Sequence, residues 1–391
     1  MSENGKAMAA VGRLRAGALV VGAIGLVLCV VGGLTDRAAF FQSWLFAYVF
    51  WVGLSLGSFG MVLLHHTVHG RSWGRVILRP LEAGARTIPL MGLLFAPIVL
   101  FGMQDVFPWA RPEMAHDAVV QAKRAYLNVP FFAARWILLF AIWWLVSSLL
   151  NRWSLEQDRT GNPDLASKRA NLAAPSIVLH VALLTFATTD WVMSIQPHWF
   201  STIIPFLFLV NQCLSATALM VLFVMTQAHH RPLSDAVNPV TSKDLGNMLQ
   251  MLVMLWGYLS VSQYLLIYSG NLPEEIGFYL GRMRGGWWYL ATIVAIGQFF
   301  VPFLALLSGR TKRTPWMLAV VSAWVIAMRI LNVYWYVVAA YHPGALTLHW
   351  TAVATFVGIG GAWLAVFAGA LARHGLLPRH EPRAEEAVQY A

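Results

Sequence analysis

Charge is scarce in this chain: only 11% of its 391 residues are Asp, Glu, Lys or Arg, while 58% are hydrophobic. So small a polar inventory cannot clothe a water-soluble domain. Cysteine is nearly absent. The two that occur, Cys29 and Cys213, fall in apolar runs and read as small core residues. A self-contained iron–sulfur cluster takes four cysteines, and covalent haem attachment takes a Cys-x-x-Cys-His motif that the chain lacks. If the chain takes part in redox chemistry, partners must hold most of the redox centres. No basic patch is interleaved with aromatics, which argues against nucleic acid as a partner. Long polar segments are missing too. The largest are the stretch from Pro108 to Val129, the stretch from Asn151 to Leu172 and the tail after Arg373, and none is long enough to fold alone.

What the chain has in abundance is apolar runs. A helix crossing the hydrocarbon core needs roughly 20 mostly apolar residues, and such runs lie near 15–34, 42–66, 86–107, 130–150, 173–193, 200–227, 245–269, 287–308, 315–340 and 348–372. The first follows Lys6, Arg13 and Arg15 in the manner of a signal peptide, but its length and the spans behind it make it a retained helix. With the N-terminus in the cytoplasm, seven basic residues fall outside: Arg37, Arg111, Lys123, Arg124, Arg135, Arg282 and Arg284. Arg329 lies within a span, and the other 19 of the 27 fall inside. That asymmetry satisfies the positive-inside rule and puts both termini in the cytoplasm. The expected organisation is a cytoplasmic segment 1–14, one integral membrane domain 15–373 of about ten helices, and a disordered cytoplasmic tail 374–391. The second and sixth runs both begin aromatic, turn small and end His-His. This suggests parallel repeats forming two four-helix bundles, flanked by the first and last helices. Gly53, Gly57 and Gly60 give the second run a small face that another backbone can approach.

Several polar residues stand out against this background. Arg329 lies near the bilayer midplane, where insertion costs roughly 2.5–3.5 kcal/mol, and Ser322, Asn332 and Tyr336 share its helix face. It reads either as a bundle-stabilising arginine satisfied by carbonyls, tyrosines and water, or as part of a proton or anion pathway. His180, well inside the fifth run, reads as a hydrogen-bonded core residue or a proton-path member; no second histidine matches its depth for haem ligation. Glu82 and Arg86, spaced i,i+4 before Pro89 and Pro97, can pair across one turn of a kinked helix. In TTDWVMSIQPHWFSTI, Thr188 to Ile203, Asp190 falls in the last turn of a helix. There a carboxylate opposes the macrodipole, so a compensating partner is expected. Trp191 and Trp199 fit an interfacial aromatic belt. Together with Glu275 and His342 from two other outer segments, Asp190 and His198 could line an outer polar pocket for quinol or for proton exit; the alternative is solvated loop residues or a partner surface. No metal-ligand cluster is apparent.

TTDWVMSIQPHWFSTI, MLWGYLSVSQYLLIYSGNLPEE, and SWLFAYVFWVGLSLGSFGMVLLHH followed by LEAGARTIPLMGLLFAPI resemble the ActF-type membrane subunit of alternative complex III, in the NrfD/PsrC-like superfamily of ten-helix membrane proteins. The resemblance runs from about Phe41 to Trp350. It implies a subunit of a quinol:cytochrome c oxidoreductase in the bacterial inner membrane. Its partners there would be a sister ten-helix subunit, an iron–sulfur subunit, multihaem and monohaem c-type cytochromes, and membrane lipid. Haem and iron–sulfur centres would sit in the partners, with quinone or quinol a candidate ligand of this chain. The intramembrane proton path would run through His180, Arg329, Asn332, Tyr336, Glu82 and Arg86. A secondary transporter and a purely structural scaffold stand as the alternatives.

Overall fold

The computed structural model describes residues 3–68 and 72–380. Every regular element among them is helical. Among the described residues, ten helices are long and apolar enough to cross a membrane: Ala7–Thr35, Arg37–Val68, Trp73–Val106, Val129–Thr160, Asp164–Ile195, Ile203–Thr226, Pro239–Gly270, Trp287–Leu307, Pro315–Tyr341 and Trp350–His374. The chain is an all-α polytopic membrane protein, and these helices are its first to tenth spans.

The apolar runs mark only the part of each helix that would meet hydrocarbon. The fourth and fifth spans continue well past theirs, so the stretch from Asn151 to Leu172, read from sequence as a loop, is helical apart from Gly161, Asn162 and Pro163. A helix that has been nucleated keeps gaining a backbone bond per residue until a breaker arrives. Here the breaker is Gly161, which takes φ +69° and returns its N–H to the Gln157 carbonyl. The tail also departs from expectation. Residues 375–380 pack onto the end of the fourth span, where Gln157 Nε2 donates to the His380 carbonyl at 2.8 Å and the Arg379 N–H donates to Asp158 Oδ1 at 2.9 Å. The rest of the stretch expected to be disordered, 381–391, lies outside the described residues.

The second to fifth spans pack as one four-helix group and the sixth to ninth as another, with the second and sixth at the seam between them. The small face of the second span is what meets the sixth. A Cβ on Gly57 would lie 2.0 Å from the Gln212 carbonyl oxygen, so only glycine permits this approach. The first and tenth spans run antiparallel against each other and close over the second, leaving the start of the first span and the end of the tenth at one end of the molecule, here the terminal end. Their contact is glycine on glycine: a Cβ on Gly25 would fall 2.5 Å from the Gly358 nitrogen, and one on Gly361 would fall 2.2 Å from the Gly22 Cα. Gly361→Leu should therefore push the first span aside. In a Cys213→Ser background, maleimide labelling of the buried Cys29 is expected to accelerate about tenfold or more, as local opening exposes it; an unchanged rate would mean that the helices pack elsewhere.

Two spans contain a π-turn. In the third, Ile98–Gly102 follows directly on Pro97; in the eighth, Ile296–Phe300 comes just before Pro302. Each adds a residue to a turn and so rotates the side chains beyond it relative to a straight helix.

Candidate functional site

Asp190 lies one residue from the end of the fifth-span helix, Asp164–Trp191. Its partner is Arg135, two turns into the fourth span. The guanidinium takes both carboxylate oxygens in a fork, Nε to Oδ2 and Nη2 to Oδ1, each at 2.9 Å, and both side chains are buried. The remaining nitrogen, Nη1, donates to the Tyr126 carbonyl at 2.9 Å, and the group lies 3.7 Å from the centre of the Tyr126 ring. A carboxylate near a helix C-terminus and a cation near a helix N-terminus are each poorly placed against the macrodipole. On adjacent antiparallel helices the two misplacements meet and cancel.

His198 sits nearby but in different company. Its Nε2 is 3.0 Å from Asp117 Oδ2 on the surface, while Lys123 Nζ donates to the Pro197 carbonyl at 2.6 Å. These bonds lay the connection between the third and fourth spans over the turn that holds His198. Asp117 also caps the short helix Ala118–Ala122, accepting from the Val119 and Val120 amides at 3.0 Å each. The Val120 amide, followed by His198, holds the Asp117 carboxyl below its ordinary 3.8. A lowered acid contributes stability that is complete above the unfolded value and is lost as pH falls through the folded one. Hydrogen-exchange protection at Val119 and Val120 is thus expected to persist as pH falls from neutral and to collapse only below 3.8; loss of protection well above that pH would mean that the Asp117 carboxylate does not hold this helix.

Glu275 lies half-buried in the first turn of the surface helix Pro273–Arg282, and His342 is exposed just past the ninth span. Among the described residues, no hydrogen bond or ion pair joins any two of Asp190, His198, Glu275 and His342. The outer pocket expected from these four is not assembled by side-chain contacts. The belt assignment of the tryptophans fails as well, because both are buried in protein. Trp191 packs among Tyr48, Phe95, Phe140 and Trp143. Trp199 stacks on Phe278 with ring centres 4.0 Å apart.

Phe278 also carries Arg282, a residue that the sequence reading assigned only to the outer surface. The Arg282 guanidinium is buried, 3.7 Å from the centre of the Phe278 ring, and donates to Gln196 Oε1 at 3.1 Å and to the Tyr336 carbonyl at 2.9 Å. Burial pushes it down to about 9, against the opposing influence of Tyr336 and Tyr279, which leaves it charged at neutral pH. The one available signal was the period of its helix, which places Arg282 four residues after Phe278 on the same face.

Below Tyr336, toward the middle of the ninth span, lies Arg329. It is buried, donates from Nε to Ser215 Oγ of the sixth span at 3.2 Å, and bonds Asn332 Oδ1 through Nη1. Tyr336 stands between the two arginines and interacts electrostatically with both. Ser215 Oγ donates to the Asn211 carbonyl at 2.7 Å, and Gln298, from the π-turn of the eighth span, reaches Asn211 Oδ1 at 3.4 Å. Arg329 forms no ion pair among the described residues. Asn211 Nδ2, Gln212 Oε1 and Gln298 Oε1 are buried there without a hydrogen-bond partner among those residues. A polar column therefore descends inside the second bundle from Arg282 past Tyr336 to Arg329, Asn332, Ser215, Asn211 and Gln298, with spare hydrogen-bonding capacity at its base.

The other expected path members stand apart from this column. His180 belongs to the first bundle. It accepts from Trp143 Nε1 at Nδ1, 3.1 Å away, so the neutral ring carries its proton on Nε2, which points toward Gly60 and Cys213. Glu82 forms its ion pair with Arg79 and not with the Arg86 that the i,i+4 spacing suggested. Arg79 is buried beside the fourth span, where it also holds Asp158 and donates to Ser154 Oγ at 3.2 Å. Two carboxylates converging on one arginine across two helices determine which partner Glu82 takes. The path expected from six residues thus separates into an Arg329–Asn332 pair with Tyr336 above it, a lone His180, Glu82 in an ion-pair cluster at the terminal end, and Arg86 outside that cluster's ion pairs. Compared with known families and proteins, the chain matches no family model and no curated protein.

Proposed function

We propose that this chain is an integral membrane subunit of a bacterial quinol:cytochrome c oxidoreductase of the alternative complex III type. It sits in the inner membrane with both termini in the cytoplasm, beside a sister ten-helix subunit, an iron–sulfur subunit and c-type cytochromes. The observation that carries the reading is the buried polar column of the second bundle. A midspan arginine without an acid is costly to insert, and a bundle selected only for packing would have no use for it. Arg329 donates to Ser215 and Asn332, and the unpartnered Asn211 Nδ2 and Gln298 Oε1 leave a donor and an acceptor to which a proton-carrying chain of waters would bond. The resemblance of the three stretches quoted above adds the identity of the complex.

The residues present do not fit a quinol pocket built on Asp190 and His198. Both Asp190 oxygens are held by Arg135, and His198 faces Asp117 at the surface. In this reading quinol gives up its electrons at a partner subunit, and this chain contributes the proton-conducting column and a docking surface. Purification of a tagged chain in mild detergent is expected to bring down haem-bearing partners with quinol:cytochrome c activity. Recovery of the chain alone, together with unaltered quinol oxidation in a deletion strain, would overturn the proposal. The π-turns in the third and eighth spans favour a second reading, a secondary transporter, since irregular turns within spans are where such proteins place substrate sites. Counterflow by the chain alone in liposomes would decide for it.

A further inference from the structure

At the terminal end, a cavity of about 970 Å³ opens between the first, third, fourth and tenth spans. Five arginines line it: Arg15, Arg86, Arg152, Arg159 and Arg373. Glu156 is the only carboxylate in its wall. The same end of the protein neutralises Arg79 with both Glu82 and Asp158. The five cavity arginines, by contrast, form no ion pair among the described residues, and Arg86 Nη2 is buried there without a partner. Like charges drawn together from four helices repel one another, so the arrangement calls for an anion beyond those the described residues supply. Part of the wall is apolar: Leu19, Trp144 and Val366 line the cavity and are also exposed on the surface of the bundle.

We infer that this cavity holds the headgroup of an anionic glycerophospholipid, with its acyl chains lying along Leu19, Trp144 and Val366. The arginine side supplies forked donors for phosphate oxygens. The apolar wall accounts for a lipid in preference to a free phosphate, which could use the charge but not the wall. In the orientation given by the charge asymmetry, the site lies in the inner leaflet, where basic pockets between helices meet anionic headgroups. The inference needs only the membrane setting and stands whether or not the chain belongs to a respiratory complex.

The test uses the full chain, stripped of lipid and returned to phosphatidylcholine nanodiscs with or without diphosphatidylglycerol, with retained lipid counted by native mass spectrometry. The wild type is expected to retain diphosphatidylglycerol over phosphatidylcholine by about tenfold or more, with a rise in Tm. Arg15→Gln/Arg152→Gln/Arg373→Gln, at three exposed positions, is expected to abolish the preference. Arg310→Gln/Arg313→Gln, basic residues at the same end but outside the cavity, should leave it intact. If the triple variant does not fold, Arg152→Gln alone should reduce the preference about fivefold, in keeping with the loss of one phosphate contact. Equal retention by the variant and the wild type would overturn the site. Displacement of the lipid by millimolar glycerol phosphate would overturn its assignment to a lipid and leave a soluble phosphate as the ligand.

Discussion

Asp190→Ala is expected to lower the stability of the detergent-solubilised protein by about 3–5 kcal/mol, the range found when one member of a buried ion pair is removed. The pair itself contributes little over an apolar substitute, because desolvating two charges offsets most of their attraction. What costs is the Arg135 guanidinium left without its carboxylate. Its bond to the Tyr126 carbonyl and the ring beneath it survive, but two donors that now meet Asp190 oxygens at 2.9 Å would face protein with no acceptor. The decisive comparison is with Arg135→Leu/Asp190→Leu. Removing both charges should recover most of the loss, so the coupling between the two positions is large and opposite in sign to the single effects. Additive losses in the double variant would mean that Asp190 has another use. A fall in quinol oxidation that exceeds the loss of folded complex would return it to the quinol hypothesis.

How much of this was legible in the sequence differs from residue to residue. The ten crossings were, because the solvent imposes a length and an apolar composition that few other structures satisfy. The extent of the helices was not. Polar residues such as Arg152 to Thr160 continue a helix in water as readily as apolar ones do in lipid, and only the Gly161-Asn162-Pro163 break stops it. The macrodipole argument correctly required a partner for Asp190, yet nothing local singled out Arg135, 55 residues away. What could have found it is that Arg135 is itself misplaced, a cation close to a helix N-terminus. The burial of Trp191 and Trp199 was beyond sequence reading, since an aromatic at the end of a span looks the same whether lipid or protein faces it. Asn332 was legible as i+3 from Arg329. Gln298 was not, because the π-turn around it adds a residue and breaks the period that a straight helix would impose.

The second large effect concerns Arg329 and runs the other way. Arg329→Met alone would leave Asn332 Oδ1 without its donor, so the informative variant is Arg329→Met/Asn332→Leu, which removes both partners. Ser215 keeps its bond to the Asn211 carbonyl. No carboxylate pairs with Arg329 among the described residues, so its desolvation is not returned by an ion pair. Replacing buried charged and polar groups with apolar ones of similar volume is commonly neutral or stabilising by about 1–4 kcal/mol. The double variant is therefore expected to match or exceed the wild type in thermal stability and to assemble with an unchanged haem content per complex. If the column relays protons, its quinol:cytochrome c turnover should nevertheless fall by about a hundredfold, at the lower edge of what losing a proton-transfer group costs, and the number of protons moved per electron in proteoliposomes should fall with it. A gain in stability with full turnover would make the column a packing feature, whereas a loss of several kcal/mol would make Arg329 a residue that the fold requires. A stable double variant with lowered turnover would mark Arg329 as a charge retained at a cost to the fold.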